Sequence, residues 1–231
     1  PGTGKGLLVD INWMIVTGGR AVLNSIPSNN DEVRKLITTF VVEASQLVLL
    51  DDIVDSLGCG ALNAALTGTT WKDRKLGHNE VIEGPLRFTM YGTGNNVSLA
   101  GDMPRRVCQI RLESSEEHPE DRSGFKYPDV VEHVRVHRPQ LLIAALTILR
   151  GFIVAGRPNQ GIENWGSFEG WSDLVRGAIV WCGLADPGLT RVEVRDSADS
   201  DSESLLNFMR ALKDVDPNGQ GLKTLDILET A

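Results

Sequence analysis

Residues 47–52, "LVLLDD", constrain the fold more than any other stretch of this chain. Four consecutive aliphatic residues show no alternation, so a strand formed there buries both of its faces. That requires helices above and below and parallel neighbours, which is the arrangement of an α/β core. The surrounding pattern supplies them. Leu7, Leu8, Ile11, Met14 and Ile15 recur at helical spacing over residues 7–17. "PSNNDEVRKLITTFVVEAS" predicts a loop, a capped start at Asn30 or Asp31, and a helix carrying Val33, Leu36, Ile37 and Phe40. "GALNAALTG" reads as a third helix, "LRFTMYGTGNN" as a strand running into a polar loop, and "RRVCQIRLE" as a further strand. In "TTWKDRKLGHNEVIEGP", β-formers flank a central glycine, which predicts a hairpin with an exposed tip.

After Glu113 the character changes. "SSEEHPEDRSGFKYPD" is polar and turn-rich, and the periodicity beyond it is helical. The boundaries expected are a core over 1–113, a helical lid-like lobe over 114–188, and an acidic connector leading into a further helical module over 189–231. The longest apolar run, "LLIAALTIL" at 141–149, is far shorter than the ~20 residues a membrane-spanning helix needs, so it predicts a buried helix and no membrane association. Trp165, Phe168, Trp171 and Trp181 are spaced as packing residues of the second lobe. The net charge of −8 argues against a generally basic nucleic-acid coat but leaves room for a local basic groove. Cys59, Cys108 and Cys182 form no CxxC pair, which fits a reducing, cytoplasmic setting.

Four groups of residues carry possible chemistry. "GTGKG" (Gly2, Thr3, Gly4, Lys5, Gly6) precedes a helical pattern, where backbone N–H groups converge on anionic oxygens and lysine adds a point charge. A glycine-rich turn capping a helix is the plainer reading. Asp51 and Asp52 end a buried strand about 45 residues later. There Asp51 would hold Mg²⁺ through water and Asp52 would polarise an attacking water, or both are simply solvated. Asn95 and Asn96 follow the next strand and suit a contact to that water or to a γ-phosphate. Arg105 and Arg106 precede the last predicted strand. From there an arginine can reach a neighbouring subunit's phosphate; alternatively, both bind carboxylates on their own surface.

The order of these features resembles that of the AAA+ ATPases. The resemblance extends to "LVLLDDIVD", "ALTGTTWKDRKLG", "GTGNNV", "GDMPRRVCQIRLE" and "WGSFEGWSDLVRGAIVWCGL", which together look like the superfamily 3-like helicase module of phage- and mobile-element primase–helicase proteins. It runs from the first residue to about residue 188. It implies an α/β P-loop NTPase core (AAA+-like, with a parallel sheet) and a C-terminal, mostly helical lobe. It further implies ATP and Mg²⁺ as ligands, DNA as partner, and a homo-oligomeric, hexameric ring with a possible upstream primase domain. Lys5 becomes the phosphate lysine, Asp51 and Asp52 the metal and water-activating acids, Asn95 or Asn96 the sensor, and Arg105 or Arg106 the finger acting in trans. The hairpin becomes a DNA contact through Lys72, Arg74 and Lys75, with His78 nearby and Trp71 either stacking or packing. An ordinary solvated hairpin is the alternative.

The chain departs from the family pattern in two ways. Gly6 stands where a hydroxyl normally helps hold Mg²⁺, so metal would lean on Asp51, phosphate oxygens and water, with slower hydrolysis. The loop also lacks its leading strand, which reads as a fragment whose first strand lies upstream. Rival readings are a P-loop kinase or signalling ATPase without a DNA role, and a non-catalytic interaction module descended from an ATPase. His133 and His137, four apart, have no third ligand beside them in sequence. "DVDPNGQG" resembles the start of a calcium loop, but Leu225 at its twelfth position cannot supply a carboxylate.

Overall fold

The computed structural model describes residues 2–74, 80–114, 116, 118–192, 194, 207–210 and 212–213. At its centre lies a parallel three-stranded sheet in the order β1 (Leu23–Asn24), β2 (Leu47–Ile53), β6 (Thr89–Gly94). β2 pairs with β1 through Leu23↔Leu49 and with β6 through Leu47↔Thr89 to Leu50↔Gly92. Alternation along β2 divides its side chains between two helical layers. Leu49 faces α1 (Lys5–Thr17), meeting Val9 and Trp13. Val48 and Leu50 face the other way, into a cluster with Val33, Ile37, Phe40 and Val41 of α2 (Asn30–Val42) and Ala61, Leu62 and Ala65 of α3 (Gly60–Thr67). All three are about 1% exposed, so the strand is covered on both faces.

Local chemistry sets the helix starts. Asn29, one residue before the predicted cap, is the N-cap of α2, its Oδ1 accepting from the Asp31 N–H at 2.8 Å. Asn30 serves the next helix instead, since its Oδ1 accepts from the Ala61 N–H at 3.0 Å in the first turn of α3. Two short parallel segments, β3 (Ser56–Leu57) and β7 (Ser98–Leu99), pair beside the core.

The predicted hairpin is present as β4 (Thr70–Arg74) and β5 (Val81–Pro85), antiparallel and in register Trp71↔Gly84. It is tied to α2 by a polar chain absent from any sequence expectation. The Trp71 indole donates to Thr38 Oγ1 at 2.9 Å, Thr38 donates to Asp73 Oδ2 at 3.0 Å, and Arg34 pairs with Asp73 at 2.7 Å. Burial pushes the Asp73 carboxyl up, but the Arg74 backbone N–H, Thr38 and Arg34 outweigh it and hold the group below the usual range. At Gly84 a Cβ would lie 2.6 Å from Val41 Cγ1, so the strand approaches the helix only because that side chain is missing.

Three expectations are overturned, the third being the core packing of Trp171 and Trp181. "RRVCQIRLE" forms no strand: a 3₁₀ turn spans Met103–Arg105 and residues 107–114 are irregular. Its β-forming residues find no partner strand among those described, and an extended segment without a ladder gains nothing from its propensity. "LLIAALTIL" is helical but not buried. It lies in α4 (Val130–Val154), where Val131 and Val134 pack on Met14 of α1 and Phe152 on Trp181, while Ile143 is 63% and Leu146 54% exposed. No described helix is long and apolar enough to cross a membrane.

Arg138 ties α4 to the core. Its guanidinium donates to the carbonyls of Met14 (3.1 Å), Ile15 (3.0 Å) and Val16 (2.9 Å) in the last turn of α1, the first of which also accepts from the Gly18 N–H at 2.9 Å. Beyond α4, α5 (Glu169–Trp171) and α6 (Gly177–Trp181) flank a π-helical turn, Ser172–Arg176. Of the four predicted aromatic core residues, Trp165 is buried and Phe168 half-buried, while Trp171 and Trp181 lie at the surface. Buried Arg176 makes a bidentate pair with Asp186 at 2.5 and 2.6 Å and donates to the Glu163 carbonyl at 2.5 Å. Gly188 leaves room for it, since a Cβ there would lie 2.5 Å from the guanidinium.

Truncating Leu49 to alanine removes contacts to both α1 and Tyr91. Leu49→Ala is expected to lower unfolding stability by about 2–5 kcal/mol in urea titrations, with Val54→Ala, at a 69% exposed position, within about 0.5 kcal/mol of the parent. The hydrogen bond from Arg176 holds the Asp186 carboxyl below its ordinary range. Its contribution is therefore complete above the unfolded carboxylate range and disappears as pH falls through the lowered value. Asp186→Asn is expected to lower stability at neutral pH by about 3–5 kcal/mol and to flatten the acid limb of a stability-versus-pH curve.

Candidate functional site

The loop before α1 turns on two glycines. Gly2 (φ 76°) and Gly4 (φ 85°) are left-handed, and Gly4 is the N-cap of α1 without any side-chain cap. The first helical bond runs from the Leu8 N–H to the Gly4 carbonyl at 3.0 Å, so the N–H groups of Lys5, Gly6 and Leu7 have no intrahelical acceptor. A positive helix end therefore opens at this loop.

Opposite it lies the C-terminal end of β2. Adjacent residues of a regular strand point to opposite faces, yet Asp51 and Asp52 both line the same cleft. The reason is a break in the ladder. Pairing of β2 with β6 shifts between Leu50 and Ile53, and Asp52 adopts a left-handed φ of 52°. Such an irregularity re-aims side chains, and aspartate is among the residues that tolerate that backbone.

Thr93, buried on β6, clamps the break. Its hydroxyl donates to Asp51 Oδ1 and accepts from the Asp52 N–H at 3.2 Å. Gly94 follows, where a Cβ would meet Val97 Cγ2 and the Ile53 carbonyl. Just past the strand, Asn95 Oδ1 accepts from Lys5 Nζ at 2.8 Å, and Lys5 also donates to Thr3 Oγ1 at 3.4 Å. The result is a cleft of about 540 Å³ lined by residues 2–6, Asp51, Asp52, Thr93, Gly94 and Asn95, a volume within the usual range for a small-molecule site.

The cleft offers one cationic side chain and free helix N–H groups on one wall, and two carboxylates on the other. An anionic ligand fits the first wall, and a hard divalent cation between ligand and carboxylates balances the second. No group of three metal-binding side chains exists among the described residues. Mg²⁺ does not require one, since it commonly takes one or two carboxylates and completes its shell with phosphate oxygens and water. Gly6 has open space where a side chain would stand.

The remaining predicted residues lie elsewhere. Asn96 (φ 53°) turns the chain and does not line the cleft. Arg105 and Arg106 are also outside it. Arg105 pairs with Asp102 at 2.8 Å and is half exposed, and its hydrogen bond holds the Asp102 carboxyl low. The Arg106 side chain is only 7% exposed, directed at Asp102 and the Asn63 carbonyl. On the hairpin, Lys72 pairs across the strands with Glu83 at 3.0 Å and Arg74 is exposed. Trp71 is buried, as a packing residue. Lys75 and His78 lie outside the described residues, as does the calcium-loop-like stretch. The rings of His133 and His137 lie 4.2 Å apart and tilted, with Tyr127 stacked on His133 at 3.9 Å.

Sequence reasoning missed Thr93. The available signal was strand periodicity, which places it on the same face as Asn95, two residues on. Comparison with protein-family models, curated proteins and solved structures returned no significant match for this chain.

Removing the hydroxyl leaves a partly buried carboxylate oxygen and a backbone N–H without their partner. Thr93→Val is expected to cost about 1–3 kcal/mol in chemical denaturation, and Thr93→Ser to recover most of it.

Proposed function

We propose that the cleft is a nucleoside-triphosphate site and that the chain is the ATPase part of a P-loop, AAA+-like helicase or translocase acting on DNA in the replication of a phage or mobile element. The observation that carries this reading is the meeting of Lys5, Asp51, Asp52 and Asn95 around one cleft at the open N-terminus of α1. Packing of α1 on Leu49 brings the two chain segments together, but it does not require their facing ends to carry an amine and two acids 46 and 47 positions apart in sequence.

In this reading the N–H groups of the loop and of the first turn of α1 bind phosphate oxygens, and Lys5 neutralises the outer ones. Bound Mg²⁺ would supply charge neutralisation of the triphosphate, with Asp51 as its protein ligand. Asp51 keeps Oδ2 for that task because Thr93 occupies Oδ1. Asp52, exposed at the rim, accepts a hydrogen bond from the attacking water and orients it. Asn95 exchanges Lys5 for the γ-phosphate. Arg105, the more exposed of the two arginines, reaches the cleft of a neighbouring copy in a ring, once released from Asp102. Lys72, Arg74 and Lys75 present the hairpin's charge to DNA phosphates.

Fluorescent-nucleotide titration provides the test. Lys5→Ala is expected to weaken Mg²⁺–ATP binding about ten- to a hundredfold, the loss of a charge-assisted contact. Arg105→Ala is expected to leave affinity unchanged while lowering DNA-stimulated turnover. Hydrolysis indifferent to both single-stranded DNA and Arg105 instead marks a kinase or signalling ATPase. Gly6 favours a second reading, a nucleotide-binding module without turnover, because it withholds the hydroxyl that helps hold Mg²⁺. The open space at Gly6 accepts a side chain, so Gly6→Ser is expected to raise hydrolysis if metal binding limits the site.

A further inference from the structure

α4 carries a second face that none of the packing above uses. Val136, Pro139, Ile143, Leu146, Arg150 and Ile153 follow one another at spacings of three, four, three, four and three, the pattern of a coiled-coil seam. All six are exposed, with Val136 at 57%, Ile143 at 63%, Leu146 at 54% and Ile153 at 45%. The buried positions Val131, Val134 and Phe152 belong to another side of the helix. Between Arg138 and Arg150 the helix bears no charge at all. An apolar helix surface of this length in water calls for a partner.

We infer that α4 pairs antiparallel with α4 of a second copy of this chain, about a two-fold axis between Ala144 and Ala145. The pattern is self-complementary under that operation and under no parallel alignment of comparable quality. Turning the helix end for end places Ile143 against Leu146, Val136 against Ile153, and Pro139 against Arg150, whose aliphatic stem covers the ring while its charge stays in water. Four of the five apolar members then meet an apolar residue and the fifth, Pro139, meets the stem of Arg150, each pair occurring twice as an isologous contact requires. A parallel pairing would instead stack Arg150 on Arg150 in the seam. Complete burial of the six side chains removes on the order of 500–600 Å² per protomer, below the ~800 Å² per side of a standard stable complex and in the range of a weaker, reversible association. This contact is separate from any head-to-tail contact that carries Arg105 to a neighbour's cleft, and it stands without the nucleotide-site reading.

Sedimentation of the whole chain over a wide concentration range reads the association directly. The expected species has twice the 25.2 kDa chain mass. Leu146→Asp is expected to weaken dimerisation at least tenfold with an unchanged circular dichroism spectrum, because the residue is exposed in the monomer, and Arg105→Ala is expected to leave dimerisation intact. In a background with Cys108 and Cys182 changed to serine, Val136→Cys with Ile153→Cys should give a disulfide-linked dimer under mild oxidation. Val136→Cys alone should not, since the two-fold axis holds it about 25 Å along the seam from its own copy. A monomer at every concentration overturns the inference. So does efficient cross-linking by Val136→Cys alone, which marks a parallel pair, and so does a monomer that binds phosphatidylcholine vesicles through Leu146, which marks a lipid surface as the occupant.

Discussion

Burial of β2 from both sides is the constraint on which the rest of this molecule hangs. Leu49 takes α1 and Val48 and Leu50 take α2 and α3, so the strand fixes the two helical layers relative to each other. Because α1 lies against Leu49, its N-terminus comes to rest beside the C-terminal end of β2. The cleft is therefore a consequence of packing: a helix start with free N–H groups and a strand end with two acids are brought together by three aliphatic side chains. A crevice at the carboxyl ends of parallel strands is where open α/β sheets usually place their ligands.

Around that frame, polar groups supply position where apolar contact cannot. Thr93 bonds both residues of the irregular end of β2, the Asp51 carboxylate and the Asp52 backbone N–H, where the strand borders the cleft. Thr38 joins Trp71 and Asp73 to α2 and makes the hairpin part of the core rather than an appendage. Arg138 satisfies three carbonyls at the far end of α1. One helix thus meets the cleft at its start and α4 at its end.

The second lobe is organised by charge as much as by apolar surface. Arg176, beside Trp165 and locked to Asp186, fills the position that a large aliphatic residue would take in an ordinary helical core. The Trp165 indole donates to the Arg105 carbonyl at 2.8 Å, so this lobe also braces the segment bearing the two arginines. What it leaves uncovered is the middle of α4, whose apolar residues exceed what the described elements can bury.

The elements governed by local rules were legible in the residues themselves. The unbroken apolar run foretold a doubly covered parallel strand, the helical spacing foretold α1 and α2, and β-formers about a glycine foretold the hairpin. The meeting of Lys5 and Asp51 at one sheet end was expected from the resemblance, whereas the bond between Lys5 and Asn95 was not. Other features were decided only by the tertiary structure, because each depends on what lies next to a segment and not on its own composition. Residues 107–114 have strand propensity but no neighbouring ladder, and α4 has a core-like sequence but no cover. The aspartates share a face only because the ladder slips, and Thr93 matters only because β6 brings it within reach of β2. Propensity and periodicity are properties of a single stretch of chain, whereas burial, pairing and register belong to two stretches at once, and only the folded chain specifies both.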